Sequence, residues 1–134
     1  MDLEETIKKY NAELQDDLML DDFVLHDKQM RMPGIKHKWV ARLIHHKTSL
    51  HKLKEGKESA IEEIQEQIRA QALTVMSSTA LKAATDKHEL VKKFNNRIKQ
   101  EELVIDYLER VEKICAQTSF DIKNIVELKK LEVM

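Results

Sequence analysis

A stripe of cations and hydroxyls is the clearest chemical feature of the chain: Lys38, Arg42, His45, Ser49, Lys52, Gly56 and Ser59 recur at helical spacing with no acid among them. Ammonium, guanidinium and hydroxyl groups donate to the oxygens that phosphates present, and Gly56 lets a backbone come close. Lys36, Lys47, Lys54 and Lys57 widen the positive surface to neighbouring positions. The bland alternative is a solvated helix face, which on an arbitrary helix is favoured by about three to one. A solvated face normally mixes both signs, however, so the single sign favours an anionic partner. Trp39 stands beside the stripe and could stack on a base, as aromatics do in single-strand sites. It also occupies an apolar seam position, and there a core role is the stronger reading.

The other reactive side chains do not converge on a site. His37, His45, His46 and His51 include no pair spaced by four and no H-E-x-x-H, so neither a metal nor another cofactor is expected. A Gly-rich phosphate loop, a G-x-S-x-G elbow and a Cys–His signature are all missing, which argues against an enzyme and against an ATP-driven recombinase. The acid pairs Asp16–Asp17 and Asp21–Asp22 lack a glycine-bearing calcium loop and read as helix-end charges. Cys115 has no second cysteine to pair with and follows Leu108 and Val111 at helical spacing, as a buried, inert thiol would.

Charge is divided along the chain even though the 134 residues sum to only -1. From Met1 to Asp22 eight acids face Lys8 and Lys9, a balance of -6; from Phe23 to Lys57 nine bases face Asp27 and Glu55, a balance of +7, and five of the six histidines lie there. A molecule polarised in this way can hold an anion on one face while staying near neutrality. The opening residues have neither a basic start nor an apolar run, and no stretch of 18 apolar residues occurs, so the expectation is an intracellular protein with no membrane span.

These residues must be positioned by helices. Only 2 Gly and 1 Pro punctuate a chain that is 35% charged and 4% aromatic, a composition suited to an all-α fold of long antiparallel helices in a single domain. Leu3, Ile7, Tyr10, Leu14 and Leu18 mark a first helix, and Asp21 or Asp22 can cap a short second one that Pro33 and Gly34 should end at Met32, giving acidic N-terminal helices over 1–32. Trp39, Leu43, His46, Leu50, Leu53, Lys57, Ala60 and Ile64 alternate steps of four and three, a heptad seam that predicts a basic long helix over 35–76. Ser77–Ser78–Thr79 places a turn before a second long helix over 79–117, striped by Val91, Phe94, Ile98, Ile105, Leu108, Val111 and Cys115. Thr118 and Asp121 resemble a capping box for a last helix over 118–132. That helix carries Phe120, Ile122, Ile125, Val126, Leu128 and Leu131, and so short a segment needs a partner surface.

Taken together, the chain resembles the UvsY-type recombination mediators of tailed phages along nearly its whole length. The likeness runs from the acidic start (Leu3–Glu4–Glu5 through Leu14) through Leu18–Met19–Leu20–Asp21, Leu25 and the Lys38–Trp39 pair. It closes with Ile105–Asp106–Tyr107–Leu108, then Ser119–Phe120–Asp121–Ile122–Lys123–Asn124–Ile125, Lys129 and Glu132. Order and spacing carry the resemblance, since each element alone is short and helical.

The resemblance implies a ring-like homo-oligomer of about six or seven subunits. It implies that the ring wraps single-stranded DNA, weakens the hold of single-strand-binding protein and nucleates a UvsX-like phage recombinase in the cytoplasm of an infected bacterial host. It also implies that the C-terminal helix drives assembly, which here points to Phe120, Ile122, Ile125, Val126, Leu128 and Leu131. One departure shifts the DNA contacts: family members carry further bases later in the long helix, where this chain has Ile61–Glu62–Glu63–Ile64. The departure points to Lys38, Arg42, Lys52, Lys54 and Lys57, and with Lys36 and Lys47 of the widened positive surface these form the expected DNA-contact set. The competing reading is a helical scaffold or adaptor whose basic segment docks an acidic protein, and such a protein would leave oligonucleotide free at low salt.

Overall fold

A computed structural model describes residues 2–133 of the chain. Four helices account for nearly all of it: α1 (Leu3–Leu18), α2 (Leu25–Gln71), α3 (Ser78–Asp86) and α4 (Glu89–Val133), and no strand occurs among the described residues. Short polar side chains set the helix starts. Asp2 caps α1 by accepting from the Glu5 N–H at 2.8 Å, and the Asp21 carboxylate accepts from the N–H groups of Phe23 and Val24 ahead of α2. Ser77 caps α3 by accepting from the Ala80 N–H at 3.1 Å.

Two expected breaks are absent. The helix predicted to stop at Met32 continues, so Pro33 lies inside α2. Proline removes the N–H that would bond the Gln29 carbonyl and costs about 3 kcal/mol in a helix interior. Met32, Ile35 and Trp39 around it are all buried, and each such side chain contributes roughly 1.5–3 kcal/mol, enough to hold the helix through the proline. The predicted stop at Gln117–Ser119 is likewise absent. Val104, Leu108, Val111, Cys115, Thr118 and Ile122 are all buried at alternating steps of four and three, so Thr118 is a seam residue rather than a cap. Gln117 donates to Asp121 across one turn at 3.0 Å. The segment expected as a separate C-terminal helix is therefore the end of α4. A real break falls instead at Lys87–His88, within the span expected to form one long helix over 79–117.

The chain forms two compact units, residues 1–45 with 104–134 and residues 46–103. The first unit holds α1, the opening of α2 and the closing half of α4, with Leu14, Leu25, Met32, Ile35, Trp39, Leu43, Leu108, Val111, Cys115 and Ile122 buried in it. The second holds the rest of α2, α3 and the opening half of α4, around Ala60, Ile64 and Val91 with Ile61, Ile68 and Phe94 against them. In this second unit α2 and α4 run antiparallel, since His46 meets Glu101 while Gly56 meets Phe94 and Ala60 meets Val91. No helix among the described residues is long and apolar enough to cross a membrane.

Candidate nucleic-acid interface

The basic segment read from the sequence divides between the two units, and its two parts meet different surroundings. In the first unit, Lys38 and Arg42 face α1. Lys38 Nζ lies 2.5 Å from Asp17 Oδ2 and 3.8 Å from Glu13 Oε2, and Arg42 Nη1 lies 2.6 Å from Glu13 Oε2. Trp39 is 1% exposed and its indole N–H donates to the same Asp17 oxygen at 3.0 Å. Arg42 also stacks over Trp39 and Tyr10, 4.8 and 5.0 Å from their ring centres. The Arg42 hydrogen bond holds the Glu13 carboxyl below the usual carboxylate range, against a smaller opposing effect of burial, with the Arg42, Lys38 and Lys9 charges adding to the lowering.

This arrangement settles Trp39 as a core residue and gives Lys38 and Arg42 acidic partners inside the chain. A signal for it exists in the sequence. Asp17 follows Leu14 by three, which puts a carboxylate on the apolar side of α1, and a buried carboxylate calls for a cation and a donor. Lys36 is half-buried beside Met32, Pro33, Ser119 and Ile122.

In the second unit, Lys52 and Lys54 are exposed, Lys57 is half-buried, and none of the three makes an ion pair among the described residues. Lys47 is exposed. The histidines do not gather: His46 bonds Glu101 at 2.8 Å and His51 lies against Glu55 one turn on. No group of three or more metal-ligating side chains occurs among the described residues. The opening half of α4 adds exposed Lys92, Lys93, Arg97 and Lys99, a cluster that is inconspicuous in the sequence because apolar seam residues interleave it.

The candidate assembly residues also divide. Ile122 is 1% exposed and lies with Met32 and Pro33 of α2, so it belongs to its own chain's core and is unavailable to a second copy. Ile125 and Val126 are half-buried, while Phe120, Leu128 and Leu131 are 58%, 60% and 68% exposed. At 100° per residue these three cluster on the side of α4 opposite Thr118 and Ile122, giving the helix end a second apolar face. Cys115 is buried, and burial first of all pushes its thiol up, which keeps it protonated and unreactive.

Comparison with known proteins converges on one family. The family model described as the recombination, repair and ssDNA binding protein UvsY matches residues 13–133. Two crystal structures of the bacteriophage T4 recombination mediator protein UvsY superpose on the chain. One has a TM-score of 0.81 at 17% identity, covering 98% of this chain and 99% of that one. The other has a TM-score of 0.80 at 14% identity, covering 95% and 97%. No curated protein matches the sequence.

Proposed function

The chain belongs to the UvsY family of recombination, repair and single-stranded-DNA-binding proteins, and from that premise we propose that it acts without catalysis as an oligomeric mediator of recombination. In this reading several copies hold one DNA strand, and the assembly promotes loading of a UvsX-like recombinase onto strand covered by single-strand-binding protein in the host cytoplasm. The observation that carries it is the set Lys52, Lys54 and Lys57, three cations on one stretch of helix with no ion pair among the described residues, in a chain of net charge -1.

The physics is multivalent. A few phosphate contacts per protomer are weak alone, and joining copies makes each further contact intramolecular. The outward-facing Phe120, Leu128 and Leu131, with half-buried Ile125 beside them, support a second copy as their cover, because an exposed cluster of this kind on a helix end calls for an interface. Lys36 and Lys47 extend the contact set, and Lys38 and Arg42 join it only by giving up Glu13 and Asp17.

The test is light scattering of the protein with and without a labelled oligothymidylate, together with anisotropy of the same oligonucleotide. A multimer whose affinity falls steeply with salt is the expected result. A monomer that leaves the strand free in dilute buffer refutes the proposal and favours a protein-binding scaffold.

A further inference from the structure

Gly56 and Phe94 determine which lysines of the second unit share a side. A Cβ on Gly56 would meet Phe94 Cε1 at 3.0 Å, while Ala60 and Ile64 pack with Val91. In an antiparallel helix pair, residues just before the seam on one helix lie beside residues just before the seam on the other, and residues just after it likewise lie together. The contact of Gly56 with the seam residue Phe94 marks the first of these sides. The second is formed by the residues that follow His46, Leu53 and Ala60 on α2 and Val91 and Ile98 on α4. Helical periodicity places Lys47, Lys54 and Ile61 of α2 and Lys92 and Lys99 of α4 on this second side, with Lys57 on the seam itself. Steps of seven keep each set in line, since the drift is only about 20° per heptad.

Lys54, Lys92 and Lys99 are exposed, Lys57 is half-buried, and none of the four has an ion-pair partner among the described residues. Glu58, Glu89 and Glu102 lie within one helical turn of them and pair with none. The flanks of a helix pair usually carry opposite charges that attract across the seam. Here both helices place lysine on the same flank, an arrangement that works against pairing and is relieved by an anion lying along it. Asn95 and Asn96 between Lys92 and Lys99 add neutral donors and no negative charge.

We infer that the strand-binding surface is a two-helix face, in which Lys54 and Lys57 of α2 act with Lys92 and Lys99 of α4 on the phosphates of a single DNA strand. This rests on the proposed single-strand binding and says where it occurs. The antiparallel register sets Lys99 and Lys92 level with positions on α2 about seven residues apart, so the four lysines span about 10 Å of helix axis. That leaves room for roughly two or three phosphates per protomer. Lys52 lies about 200° round α2 from Lys54, on the Gly56 side, and is outside this face.

The experiment compares two charge-matched double variants of the full chain, Lys92→Ala/Lys99→Ala and Lys93→Ala/Arg97→Ala, the second pair lying on the remaining sides of the same helix. Binding of fluorescein-labelled oligothymidylate is followed by anisotropy over a salt series, with helix content and mass in solution measured for each. Each phosphate contact on a single strand contributes about 0.7 to the salt slope, or about fivefold in affinity at ~0.1 M salt. Lys92→Ala/Lys99→Ala is therefore expected to bind about 25-fold more weakly, with a slope shallower by about 1.4, while the other pair stays within about threefold of wild type. Equal weakening in both pairs, or none in the first while wild type binds, overturns the two-helix face and leaves the parent reading standing. A wild-type protein that ignores the oligonucleotide overturns both.

Discussion

Asp17→Ala tests the packing of the first unit most directly, because one carboxylate oxygen there serves two donors. Asp17 Oδ2 accepts from Trp39 Nε1 at 3.0 Å and from Lys38 Nζ at 2.5 Å, and Trp39 is almost wholly buried. Removing the carboxylate leaves the indole N–H unsatisfied inside the core, at about 1–3 kcal/mol. The Lys38 ammonium is about a third exposed and recovers much of its hydration, so its share is discounted to roughly 1 kcal/mol or less. The total is about 1–4 kcal/mol. For 134 residues the entropy of unfolding is about 280 cal/mol/K, so each kcal/mol lowers the melting temperature by about 3.6 °C.

Asp17→Ala is thus expected to melt about 4–14 °C below wild type by circular dichroism at a fixed protein concentration, since assembly makes melting concentration-dependent. Asp17→Asn keeps an acceptor for the indole and loses only the charge, so it should fall by about 4 °C. An Asp17→Ala protein that melts within about 2 °C of wild type would refute the reasoning, for it would mean that the indole has found another acceptor or that the bond adds nothing.

Lys52→Ala/Lys54→Ala/Lys57→Ala should flatten the salt slope of oligonucleotide binding by about 1.4, at about 0.7 for each of the phosphates held by Lys54 and Lys57, and an unchanged slope removes this segment from the interface. Because Lys52 lies outside the proposed face, restoring it alone recovers little of the affinity. Phe120→Asp with Leu131→Asp should reduce the mass seen by light scattering while the helix signal stays intact, because both side chains point away from the protomer's own core; unchanged mass would place the interface between copies elsewhere. For pH, Glu13 is held below its ordinary range in the fold, so its contribution is complete above the usual carboxylate pKa and disappears as pH falls through the lowered value. Glu13→Gln should therefore be less stable than wild type at neutral pH, with the gap closing on acidification. A gap independent of pH would remove the carboxylate's charge as the cause.

The helical class, the seam of α2 and the start of α3 are all legible from residue types, because heptad spacing and short polar caps act locally. Pro33 and Thr118 mislead for a shared reason. Both oppose or fail to favour a helix interior, and in both places buried neighbours at seam spacing outweigh the local preference. The candidate site is legible as a charge block and misleading residue by residue. Lys38 and Lys54 look alike in sequence, yet one sits 2.5 Å from a carboxylate 21 residues earlier in the chain and the other has no ion-pair partner among the described residues. Only tertiary pairing separates them. Lys92 and Lys99 carry no signal of their own in the sequence, because alignment with Lys54 depends on the register of two helices, which no one-dimensional spacing contains.

The division of charge between the units explains how a nearly neutral chain can grip a polyanion. Residues 1–45 with 104–134 carry 12 Lys and Arg against 15 Asp and Glu, a balance of -3; residues 46–103 carry 11 against 9, a balance of +2. Glu13 and Asp17 of α1 engage Lys38 and Arg42, which fixes Trp39 and removes two cations from any open surface. In the second unit much of the acid lies on α2 beyond Lys57, at Glu58, Glu62, Glu63 and Glu66, so the helix changes sign along its length while its seam continues. In the proposed two-helix face, a strand drawn to Lys54 and Lys57 is thereby turned away from the following turns of α2 and toward Lys92 and Lys99 of α4. Net charge is a poor guide to binding in such a protein; the decisive quantity is how many cations the fold leaves without a partner on one face.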